Sequence, residues 1–190
     1  MEAISWRFSN ESNSWTEKKY IRQNKKANGT LSLDGREYQK MNGFGGCFNE
    51  LGYKALQRLG KKEQDKVIEE LFDEHHCHFN LCRLPIGAND YSFDWYSLDD
   101  VPGDYPLDSF SIDRDKKALI PYIKMAMGCA SDLQLFASPW SPPAWMKNPP
   151  VYNSGKLVKT SKNFKTYAQY FVKFLQAYKD EGITINQIHG

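Results

Sequence analysis

Residues 133–147 read Leu133-Gln134-Leu135-Phe136-Ala137-Ser138-Pro139-Trp140-Ser141-Pro142-Pro143-Ala144-Trp145-Met146-Lys147. A short apolar run ends abruptly in a loop dense in proline and tryptophan, the pattern of a buried strand handing over to a connection. The same hand-over recurs upstream, where His78-Phe79-Asn80-Leu81-Cys82-Arg83-Leu84-Pro85 precedes a long loop from Gly87 to about Asp113. Phe44-Gly45-Gly46-Cys47-Phe48 is a third such run, and Ile183-Thr184-Ile185-Asn186-Gln187-Ile188 a fourth.

Helical spacing fills the gaps between these runs. Leu51–Leu59 reads as a helix broken by Gly60, and Lys61–Phe72 resumes with Val67, Ile68, Leu71 and Phe72 on one face. Leu119, Tyr122, Ile123, Ala126 and Met127 form another face, with Pro121 expected in the first turn. Phe164, Tyr167, Ala168, Phe171, Phe174, Leu175 and Tyr178 form the clearest one, ended by Gly182. Strands alternating with helices imply an α/β fold with a parallel sheet and right-handed crossovers. Both long loops follow strands, at the sheet edge that carries the active site in barrels of this kind. Residues 1–40 are polar and turn-rich. Asn28-Gly29 and Asp34-Gly35 signal hairpins, with Thr30–Leu33 and Arg36–Gln39 expected to pair around the second.

Composition narrows the function classes. The chain of 190 residues is 41% apolar, enough for a core, and carries a net charge of +2 with no basic run, which argues against nucleic acid as a partner. No stretch of about 18 apolar residues is present to span a membrane. The Met1-Glu2-Ala3-Ile4-Ser5 start lacks the marks of a signal peptide, and Cys47, Cys77, Cys82 and Cys129 do not form a disulfide framework. Reduced, partly buried thiols and a cytoplasmic location are the expectation.

Three clusters share the candidate functional edge: Gly43–Glu50, Arg83–Ser92 and Ala137–Lys147. Their chemistry suits a sugar. A pyranose presents a C–H face that an indole covers, and vicinal hydroxyls that a carboxylate accepts. Trp140, stiffened by Pro139, Pro142 and Pro143, fits the first need and Asp90 the second. Arg83 can orient a carboxylate and keep it ionised.

The order and spacing of these clusters, above all Gly43-Phe44-Gly45-Gly46 with Ser138-Pro139-Trp140-Ser141-Pro142-Pro143-Ala144-Trp145, resemble glycoside hydrolase family 30. That family includes glucosylceramidases, β-1,6-glucanases and xylanases. The resemblance implies the first four β/α units of a TIM (β/α)8 barrel over residues 41–190, preceded by strands of a side β-sandwich in residues 1–40. It assigns Arg83 to orienting the nucleophile, Asp90 and Trp140 to holding the sugar at the cleaved bond, and Tyr91 and Trp145 to lining the pocket. The implied ligand is a β-linked glucoside or related carbohydrate, with no cofactor and no metal.

Family members continue the fourth strand into an Asn-Glu pair that supplies the acid/base, and a later strand supplies the nucleophile. Here the chain reads Gln187-Ile188-His189-Gly190. Both glutamates are therefore expected beyond Gly190, and the isolated chain is expected to be inactive. A half barrel exposes strand edges, so self-association or pairing with a C-terminal half-barrel is the corresponding expectation.

Simpler readings stand beside these. Asp90 also fits an ordinary turn, Trp145 fits core as well as pocket, and Arg83 fits a structural ion pair. His75-His76-Cys77-His78 resembles a metal cluster, but adjacent residues on an extended segment point to opposite faces. Glu50 opens the first helix and is read as a partner of its dipole rather than as a catalytic acid.

Overall fold

The computed structural model describes residues 6–18 and 34–189. They fall into two compact units that divide between Lys40 and Met41. In the first, β1 (Trp6–Asn10) and β2 (Asn13–Lys18) form an antiparallel hairpin, with Phe8 opposite Thr16. The hairpin expected around Asp34-Gly35 is not seen over residues 34–40, which contain no strand. The turn chemistry is present, since Asp34 Oδ1 accepts from Arg36 N at 3.0 Å with Gly35 at φ +72°. Tyr38 is exposed. Thr30–Leu33 and Asn28-Gly29 lie outside the described residues.

The second unit runs α1 (Glu50–Leu56), α2 (Lys61–Phe72), β3 (Leu81–Ile86), α3 (Leu119–Met127), β4 (Gln134–Pro139), a small hairpin of β5 (Lys147–Asn148) and β6 (Lys156–Leu157), α4 (Ser161–Asp180) and β7 (Gln187–Ile188). Strands β3, β4 and β7 lie parallel in that order, with Arg83 opposite Phe136 and Phe136 opposite Gln187. Phe44 and Cys47 bridge to Phe79 and Arg83 on the free side of β3. That first run is thus strand-like, but its pairing shifts by one residue across Gly45-Gly46. Gly45 lies so close to β3 that a Cβ would stand 2.2 Å from the Leu81 carbonyl oxygen, so only glycine fits there.

Side chains alternate across the sheet. Cys82, Leu84, Ile86, Leu135 and Ala137 are buried in the core with α1 to α4, while Arg83, Phe136, Ser138 and His189 occupy the opposite face. Helix ends obey local chemistry. Asn49 Oδ1 caps α1 by accepting from Gly52 N at 2.7 Å, and Thr160 caps α4. The C-terminus of α4 closes with Ile183 N donating to Tyr178 O and Gly182 N to Lys179 O, the two bonds of a Schellman ending. The buried stripe of α4 is Asn163, Thr166, Tyr170, Phe174 and Tyr178; Phe164 and Ala168, expected inside, are exposed. Only Cys82 of the four thiols is buried. Cys47, Cys77 and Cys129 are free and exposed, which corrects the expectation of partly buried thiols.

Candidate active site

The two long loops meet above the C-terminal ends of β3 and β4. Gly87, at φ +82°, turns the chain out of β3, and a Cβ there would press on the Tyr96 carbonyl oxygen at 3.3 Å. The next residues wind into an Asx turn. Buried Asn89 accepts from Tyr91 N at 2.7 Å and donates its own N–H to Ser92 Oγ at 3.0 Å. Asp90 is the exposed tip of that turn. Trp140 follows the last residue of β4, half-exposed.

Asp90 and Trp140 line one cavity of about 560 Å³. Trp95, Tyr96, Lys147 and Tyr152 also line it, and of these only Lys147 fell within a cluster read from the sequence. Trp95 and Tyr152 stack with centroids 6.3 Å apart, joining the two loops. Trp145 joins them a second time, its Nε1 donating to the Asp99 carbonyl oxygen at 3.0 Å while its ring meets Tyr105 edge-on at 5.4 Å. The first loop is also fixed from below, where Tyr170 Oη accepts from Leu98 N at 2.9 Å.

Tyr91 is exposed and Trp145 half-buried, and the structure places neither on the cavity wall. Arg83 sits within β3, on the face away from the helices. Its Nε donates to Ser138 Oγ at 2.6 Å, across to the neighbouring strand β4. Stacked Phe136 and His189 lie on the same face, 4.9 Å apart.

Glu50 has a larger role than its helix-start position suggested. Buried at the first turn of α1, it accepts from Arg114 Nε at 2.8 Å, Arg114 Nη2 at 3.0 Å and Phe93 N at 2.8 Å. Burial alone would raise its pKa, but the hydrogen bonds and the Arg114 charge win and hold it low. The residue therefore bolts the first loop to α1. The histidine run diverges, with His78 meeting Asp132, His76 meeting Glu70 and His75 meeting Glu74. No group of three metal-ligating side chains forms among the described residues, and no described helix is long and apolar enough to cross a membrane.

A parallel sheet covered by helices, with a cavity built from loops at its C-terminal edge, is the arrangement of an α/β barrel enzyme. The model of the glycosyl hydrolase family 30 TIM-barrel domain matches residues 41–189, and the chain belongs to that family. It is 36% identical over 171 residues to putative glucosylceramidase 3 of Caenorhabditis elegans, covering 88% of this chain and 33% of that protein. It is 34% identical to an endo-1,6-beta-D-glucanase of Trichoderma harzianum, over 79% of this chain and 33% of the relative. Among solved structures, SrfJ from Salmonella typhimurium superposes with a TM-score of 0.74 at 30% identity, over 79% of this chain and 34% of that one. The chain spans about a third of the length of the relatives it matches.

Proposed function

We propose that the full-length protein is a retaining β-glycosidase acting on β-linked glucosides, and that this chain supplies the wall that holds the sugar. The observation that carries the reading is the cavity itself, in which a carboxylate and an indole from the ends of two neighbouring strands face one space. Trp140 would cover the C–H face of the pyranose, and Asp90 would accept hydrogen bonds from adjacent hydroxyls. The names of the relatives, a glucosylceramidase and a 1,6-glucanase, agree in a glucoside as the group cleaved and differ in what it is attached to.

Retention needs two carboxyl groups about 5–5.5 Å apart. One protonates the glycosidic oxygen as the other attacks the anomeric carbon. Water then opens the covalent intermediate, giving its proton back to the first group. Strands β3, β4 and β7 contain no Asp or Glu, and Glu50 is committed to Arg114. In this reading both carboxylates come from outside residues 41–189, and Arg83, braced by Ser138, orients the nucleophile. Residues 41–189 would be the first four β/α units of the barrel, and residues 1–40 would open a side β-sandwich.

The test is hydrolysis of a β-glucoside by the full-length protein, followed by proton NMR. Appearance of β-glucose before α-glucose is expected. First appearance of α-glucose would contradict retention, and no hydrolysis would contradict the enzymatic reading.

A further inference from the structure

Lys147 is out of place for a lysine. It is 6% exposed, in the first strand of the β5–β6 hairpin, and it forms part of the cavity wall with Asp90 and Trp140. Its Nζ donates to Ser141 Oγ at 2.6 Å and to the Tyr152 carbonyl oxygen at 3.0 Å, both neutral acceptors. No carboxylate among the described residues pairs with it, and burial lowers its pKa from the ordinary lysine value. An ammonium carries three N–H donors, so one is left beyond those two bonds. Taking a cation out of water is unfavourable unless a counter-charge or further acceptors offset it. Two neutral acceptors offset part of that, and the cavity is where the rest can be met.

We propose that Lys147 is a specificity-determining residue of this cavity: its remaining N–H donates to an acceptor oxygen of the bound saccharide, and its charge favours a saccharide bearing a carboxylate. This rests on reading the cavity as the sugar site. Asp90 receives hydroxyl hydrogens at one wall while Lys147 supplies a hydrogen at another, so the two charges fix the sugar's orientation between them. Lys147 also pins the hairpin through Tyr152, so positioning and recognition share one side chain.

The experiment is calorimetric titration of the full-length protein, wild type and variants, with D-glucose and with D-glucuronate at pH 7. Lys147→Met keeps the apolar stem and removes the charge. It is expected to weaken glucose binding about tenfold and glucuronate binding about a further tenfold. Lys147→Arg, which keeps the charge, is expected to hold the glucuronate-to-glucose ratio near that of the wild type. An equal loss for both sugars in Lys147→Met would show a purely structural role and overturn the proposal, as would unchanged affinity for both or an altered ratio in Lys147→Arg. Trp140→Ala separates the two levels of the reading. If it loses glucose while Lys147→Met does not, only the Lys147 proposal falls; if the wild type binds neither sugar, the cavity reading falls and takes the proposal with it.

Discussion

Asp115 is a fully buried carboxyl near the site. Tyr96 donates to its Oδ1 at 3.1 Å and Tyr178 to its Oδ2 at 2.8 Å, while Tyr96 also forms part of the cavity wall. Burial pushes the Asp115 carboxyl up to about 6 against the pull of the two hydroxyls. Between the unfolded value near 3.8 and about 6 the folded chain therefore holds a proton that the unfolded chain has released. This residue's contribution to stability falls as pH rises through that window, by roughly 3 kcal/mol in all, and stays flat above it. Asp115→Asn removes the ionisation. The stability of that variant relative to wild type, from urea midpoints, is expected to grow from pH 4 to pH 6 and then level off. A difference independent of pH would contradict this. Asp90 belongs to the same scale. Asp90→Asn exchanges a charged acceptor for a neutral amide and is expected to cost about tenfold or more in glucoside affinity, measured by the same titration.

Helix α4 shows what an element contributes. Phe174 and Tyr178 are fully sealed against the sheet, and Phe174→Ala is expected to cost about 3–5 kcal/mol in chemical denaturation, because the cavity left behind cannot collapse. A loss below about 1 kcal/mol would mean that α4 is not a core element. The existence, order and type of the helices and main strands were legible from periodicity, because burying one face imposes that period on the sequence. The buried face of α4 was legible only in part. Phe174 and Tyr178 were read correctly, but Asn163, Thr166 and Tyr170 replace Phe164 and Ala168 inside. The reason lies in the loop above. Tyr170 accepts from Leu98 N, and Thr166 Oγ1 donates to the Tyr105 carbonyl oxygen, so polar groups are buried where they satisfy loop backbone. The site shows the same division. Asp90 and Trp140, which the family resemblance singled out and local pattern alone did not, both line the cavity. Trp95 and Tyr152 did not stand out, since their stacking spans 57 residues of chain and no local pattern encodes it.

At the scale of the molecule, the sheet face opposite the helices carries a cation, an aromatic pair and a serine, with no acid on β3, β4 or β7. On the proposed retaining mechanism, which uses two carboxylates about 5–5.5 Å apart, a polypeptide of residues 1–190 alone is expected to bind a β-glucoside without hydrolysing it. Release of glucose above the buffer rate, followed by coupled assay, would contradict that expectation. In the proposed reading the sugar sits in the cavity between the two long loops, whatever the catalytic groups are. The most direct test is the affinity of the full-length protein for methyl β-D-glucoside, wild type against Trp140→Ala. Loss of the indole platform is predicted to weaken binding by about 1.5 kcal/mol, roughly tenfold or more. Equal affinity in the two proteins would place the sugar elsewhere and contradict the account.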